Sequence, residues 1–172
     1  EMCIRDSDYA EAANERGVIY QNKGDLENAL KYFHKAISLN PNLANPFNNI
    51  GLVEIELNKT EKAINSFEKA LSVDPNYANA YYNLSQIKQY NISKEQAAKM
   101  QSLLNKSDID QSDLISINFA LASMNESLGN KDEFFNYLNE GNRLRKIDLN
   151  YSFNTSKKTI SIIYKIFAEG PN

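Results

Sequence analysis

Residues 38–45 read Ser38-Leu39-Asn40-Pro41-Asn42-Leu43-Ala44-Asn45, and residues 72–79 read Ser72-Val73-Asp74-Pro75-Asn76-Tyr77-Ala78-Asn79. The two stretches lie about 34 residues apart, and the same shift aligns Gly17 with Gly51, Ala29 with Ala63, Phe33 with Phe67 and Ala36 with Ala70. The chain therefore repeats a unit. Pro41 and Pro75 cannot continue a helix and push the residue before them toward extended backbone, so each closes a helix and turns the chain into the next unit. Gly17 and Gly51 on the first helix of a pair face Ala29 and Ala63 on the second, leaving room where two antiparallel helices approach to about 8–10 Å. Phe33 and Phe67 lie one helical turn beyond those alanines, on the same face, and are expected core. Between the helices, Gly24 and Asn58 are residue types that accept a left-handed C-terminal cap, and Asp25 and Thr60 are expected to cap the helices that follow.

This pattern resembles the tetratricopeptide repeat (TPR) family. The resemblance implies an all-α fold, a right-handed superhelical solenoid of antiparallel helical hairpins. Three units are expected at 8–43, 44–77 and 78–111. The third is degenerate: Gln101 stands where an aromatic is expected, Leu104 where an Ala is, and Ile109 where a Pro is. Ser93 and Gln96 still form a capping-box pattern for its second helix. A divergent fourth hairpin, 112–150, follows a three-residue slip, with Leu121 and Ala122 at the tight positions, Gly129-Asn130 in the turn, and Phe134 and Leu138 as the core of its second helix. Ile160, Ile163, Ile166 and Phe167 recur at helical spacing, so 151–168 is expected as a C-terminal capping helix shielding the last hairpin, before a tail at 169–172. Residues 1–7 fit none of this periodicity and read as a non-native leader.

The apolar content of 42% and charged content of 24% are those of an ordinary soluble domain. A formal net charge of -3 with scattered Lys and Arg provides no basic stripe, so nucleic acid is not an expected partner. One Cys (Cys3) and one His (His34) are too few for a zinc site, a disulfide framework or a Cys/His nucleophile pair. The best apolar run, Ile160 to Phe167, is short and interrupted by Ser161 and Lys165, so no membrane helix is expected. No catalytic residue, metal ligand or cofactor is assigned, and the expected location is cytoplasmic.

From about Tyr77 onward the order of features is more particular: the atypical third hairpin with Lys94 to Leu104, an Asp-rich helix start at Asp108 to Asp113, then Phe119-Ala120-Leu121-Ala122, Leu128-Gly129-Asn130 and Glu140-Gly141-Asn142-Arg143-Leu144-Arg145-Lys146. Together they resemble the linker region of bacterial TPR-containing sulfotransferases, with Ala122 and Phe134 as departures at packing positions. That resemblance implies the N-terminal binding arm of a larger protein whose sulfate-donor loop would lie beyond Asn172. A structural spacer is the remaining alternative.

The leading expectation is a protein-interaction module. In the TPR family first helices line the inner surface where partner peptides lie, which makes Asn45, Asn49, Asn79, Tyr82, Asn83 and Gln86 the groove candidates. Asn45 and Asn49 recur as Asn79 and Asn83, one turn apart in each helix. An amide both donates and accepts, so such a ladder can hold an extended backbone without reading its side chains. The expected partner is a protein or extended peptide, or a further C-terminal domain of the same protein. A clamp for a terminal carboxylate needs Lys or Arg, and Val18, Asn79 and Asn83 occupy the positions in question. Tyr81 is expected in the core, His34 exposed, and the cluster Arg143, Arg145 and Lys146 complements a helix C-terminus.

Overall fold

The computed structural model describes residues 2–168, with side chains described for 8–149 and for Lys157. Among these residues the fold is entirely helical: α1 (Met2–Asn22), α2 (Leu26–Leu39), α3 (Ala44–Glu56), α4 (Thr60–Val73), α5 (Ala78–Ser85), α6 (Lys94–Leu104), α7 (Gln111–Leu128) and α8 (Lys131–Ala168). They form four consecutive hairpins. No helix among the described residues is long and apolar enough to cross a membrane.

The first two hairpins follow from the repeated residues. Phe33 and Phe67 are completely buried, as are Ala29, Ala36, Ala63 and Ala70. Each ring fills the space left by the glycine opposite, so that a Cβ built at Gly51 would stand 2.5 Å from Phe67 Cε1, and one at Gly17 would overlap Phe33. Gly24 (φ 76°) and Asn58 (φ 57°) adopt the left-handed turn. Asp25 caps α2, accepting from the Asn28 backbone N–H at 3.2 Å. Thr60 does not cap α4. It is the first helical residue, and Lys59 occupies the cap position with no side-chain bond, since a lysine has no acceptor to offer.

The third hairpin is splayed. α5 stops at Ser85 after 8 residues, where α3 runs for 13. With Ser85 in place of the glycine and Gln101 in place of the phenylalanine, neither half of the knob-and-hole pair is present. α5 packs chiefly on α7 rather than on α6, and α6 is held by only two buried side chains, Met100 and Leu103. The expected capping box forms: the Ser93 N–H donates to Gln96 Oε1 at 2.9 Å and the Gln96 N–H to Ser93 Oγ at 3.2 Å. Tyr81 is buried as expected, its hydroxyl donating to the Pro75 carbonyl at 3.0 Å.

The fourth hairpin inverts the packing of the first two. Here the ring is on the first helix and the glycine on the second: a Cβ at Gly141 would meet Phe119 Cε1 at 3.2 Å. Leu138 is accordingly only half-buried, and Gly141 and Leu144 are the buried positions among the described side chains of α8. α8 continues without a break from Lys131 to Ala168, so 151–168 is not a separate element; nothing between 147 and 155 is Gly or Pro. The shielding expected of 151–168 lies, Lys157 apart, on side chains outside those described. Residues 2–7, set aside above as a leader, are helical within α1.

First helices approach one another along the whole array, α1 on α3, α3 on α5 and α5 on α7, while no two backbones among α2, α4 and α6 come as close. A stack in which one set of helices converges and the other diverges bends toward the converging set. The first helices therefore form the inner wall.

Candidate functional site

The inner wall carries a chain of amide contacts between neighbouring first helices. Asn49 Nδ2 donates to Asn14 Oδ1 at 3.0 Å, and Asn83 Nδ2 donates to Asn48 Oδ1 at 2.8 Å. Asn14 and Asn48 are buried, at 6% and 4% exposure, whereas Asn49 and Asn83 are half-buried. Each staple fixes the orientation of an outer amide through one of its two N–H bonds. The oxygen of Asn49 or Asn83 makes no hydrogen bond among the described residues and remains an acceptor.

The other groove candidates differ in their surroundings. Asn79 Oδ1 accepts from the Ser116 hydroxyl at 3.0 Å, linking α5 to α7. Asn45 is exposed. The Tyr82 ring meets Phe119 with 6.4 Å between centroids, in a tilted arrangement. Gln86 lies just past the end of α5, where Nε2 donates to Ser85 Oγ at 3.1 Å. It lines a cleft of about 410 Å³ with Lys88, Tyr90, Ser123 and Glu126, a notch opened by the early end of α5. Five candidates thus sit on the first helices α3 and α5, and the sixth at the edge of the notch.

Sequence reasoning did not pair the candidates with their inner partners, Asn14, Asn48, Ser116 and Phe119. A signal existed for two of them. The staples span 35 residues, one more than the repeat, so each joins a position to its neighbour's equivalent. Asn14 and Asn48 are themselves one repeat apart.

Among the described residues no set of three His, Cys, Asp or Glu could hold a metal. His34 is exposed. Burial first, then Asp110 and Asp74, raise the Asp113 carboxyl above its ordinary value. Burial likewise raises Tyr77 and Tyr90, and the Tyr90 hydroxyl links Glu68 and Gln96 at 3.2 and 2.7 Å. The residues that carry the sulfotransferase resemblance have packing tasks: Phe119 fits Gly141, and Gly129 (φ 74°) makes the left-handed turn out of α7.

Comparison with known proteins agrees with this architecture. A family model described as tetratricopeptide repeat matches residues 10–43, and one described as TPR repeat matches 51–89. The chain contains tetratricopeptide repeats, and neither match reaches the 119–146 stretch. The photosystem I assembly protein Ycf3 of Acaryochloris marina is 46% identical over 37 residues, which is 22% of this chain and 22% of that protein. The chain thus matches about a fifth of that relative's length. Among solved structures, Pseudomonas aeruginosa pilF superposes with a TM-score of 0.64 at 18% identity, covering 97% of this chain and 78% of that one. A tetratricopeptide repeat protein from Parabacteroides merdae gives 0.55 at 20% identity (95% and 66%), and MamA gives 0.54 at 19% (83% and 81%). At these identities the likeness is one of fold, the TPR solenoid.

Proposed function

We propose that this chain is a protein-binding module whose inner wall holds an extended segment of a partner protein along Asn45, Asn49, Asn79, Tyr82, Asn83 and Gln86. The observation that carries the reading is the half-committed amide. Asn49 and Asn83 are each oriented by a buried asparagine and keep a carbonyl oxygen without a partner among the described residues, so part of their ordering precedes a ligand. Neighbouring helices stand about 8–10 Å apart, and an extended or polyproline-like strand rises about 3.1 Å per residue. Successive asparagines would then meet roughly every third backbone N–H. Such contacts hold a strand by its main chain and tolerate its sequence.

Matching a protein named for photosystem assembly over one repeat's length fits a role in holding other proteins, at the level of the repeat alone. The sulfotransferase reading gains nothing from the 119–146 stretch, whose residues are accounted for by packing. It is decided by the codons after Asn172: a strand and phosphate-cradling loop there would support it.

The test is a partner screen by affinity capture with the wild-type chain and two double variants. Asn49→Ala with Asn83→Ala removes the outward amides, and Asn14→Ala with Asn48→Ala removes the staples while leaving the outward groups in place. The expected result is loss of captured partners with the first pair and retention, somewhat weakened, with the second. Partners captured equally by all three proteins would overturn the reading.

A further inference from the structure

The position that holds Asn14 and Asn48 in the first two hairpins holds Tyr82 and Phe119 in the next two. At that end of the wall the amide staple gives way to the ring pair. Phe119 is covered in turn by Arg145, whose guanidinium carbon stands 4.8 Å from the ring centroid. Gln111 Nε2 donates to the Leu144 carbonyl at 3.1 Å, fixing the start of α7 beside this turn of α8. Asn79 and Ser116, bonded to each other, link α5 to α7 about one turn before the two rings.

The basic residues of this turn are not equivalent. Arg143 is consumed by Glu140, with Nε and Nη2 each 2.7 Å from a carboxylate oxygen. Arg145 is exposed and meets no carboxylate among the described residues. Placed over the ring and in no ion pair among the described residues, the Arg145 guanidinium keeps N–H donors for a ligand, and their planar fork matches a carboxylate. The ring beneath also shields one face from water, which strengthens any charge-assisted bond at the edge. None of the six groove candidates carries a charge, and Arg145, over the Phe119 ring, places a cation beside the ring pair.

We propose that Tyr82, Phe119 and Arg145 form the specificity-determining end of the groove, taking an Asp or Glu side chain of the extended partner. This rests on the groove reading above. The main-chain contacts at Asn49 and Asn83 hold the strand, the rings pack its apolar stem, and Arg145 fixes the register by pairing with the carboxylate.

The test is selection from a randomised dodecapeptide library, displayed without a free carboxyl terminus, on the full chain and on its Arg145→Gln and Arg145→Lys variants. Selected sequences should share one acidic position. A synthetic, C-terminally amidated peptide of that sequence should bind roughly tenfold more weakly to Arg145→Gln, the size of one charge-assisted contact. Replacing its acidic residue by the amide should weaken binding to the wild type equally and leave binding to Arg145→Gln unchanged. Arg145→Lys keeps the charge without the planar fork and should fall between. Peptides that depend on Asn49 and Asn83 but share no acidic position, or bind Arg145→Gln as tightly, would overturn this inference alone. An empty selection, or binders indifferent to Asn49→Ala with Asn83→Ala, would overturn the groove reading and this inference with it.

Discussion

At position 51 an alanine would press its Cβ against a fully buried phenylalanine ring, whereas at position 141 the same change meets a half-buried ring at a wider gap. Overpacking a closed core costs about 1–3 kcal/mol, and replacing a helical glycine with alanine returns up to about 1 kcal/mol. Gly51→Ala is therefore expected to lose about 1–2 kcal/mol in denaturant unfolding, and to become neutral or stabilising in a Phe67→Ala background. Gly141→Ala should instead raise the melting temperature, because Phe119 can shift toward solvent. The glycines and rings at 17, 33, 51 and 67 were legible in the sequence because they recur, but the expected partners of Gly17 and Gly51 were Ala29 and Ala63, whereas the structure sets the Phe33 and Phe67 rings against them. The pair at 119/141 was not legible, since it occurs once and with the ring on the other helix. The asparagines behave similarly: Asn49 and Asn83 announced themselves by recurrence, while their bonds to Asn14 and Asn48 join one repeat to the next and are invisible to an alignment of the repeat with itself.

Among α2 to α7, whose side chains are all described, α6 has the fewest buried anchors. Its two buried anchors contrast with the Phe-centred faces of α2 and α4, so its amides should exchange with deuterium faster than theirs. Met100→Ala, expected to cost about 2–5 kcal/mol, should expose α6 first and leave α2 and α4 protected. The sequence pointed to this element through Gln101, and its capping box was also readable. The early end of α5 was not, because the residues after Ser85 include no proline or glycine before Ser93 and the truncation reflects a missing packing partner. At the start of α7, Asp113 gives a pH dependence. Its folded pKa lies above the ordinary 3.8, so the folded chain binds the proton more tightly than the unfolded one, and stability is lost as pH rises from there through the folded value. Asp113→Asn should accordingly melt higher than wild type at pH 7, with the difference vanishing once pH falls below the ordinary value.

Across the whole molecule, stability is a sum over neighbouring interfaces, and the same arrangement bends the array toward its first helices. That bend turns separate asparagines into one surface with an amide half at α3 and α5 and an aromatic half, ending on Arg145, at α5, α7 and α8. The hairpin as the repeating element was legible from the recurring residues, whereas the continuation of α8 through 151–168 was not. The junctions between hairpins were not, since they depend on contacts a full unit apart. A second face competes for attention: Leu128 and Phe135 are exposed at the α7–α8 turn, at 64% and 54%. The most direct test of the binding account is nuclear magnetic resonance of the asparagine side-chain amides while a library-selected peptide is added. The prediction is that the Asn45, Asn49, Asn79 and Asn83 amides shift together in one saturable process, with the Asn125 and Asn130 amides by the turn unmoved. Shifts confined to Asn125, Asn130 and the backbone around Leu128 and Phe135 would contradict it and place binding on the outer end of the array.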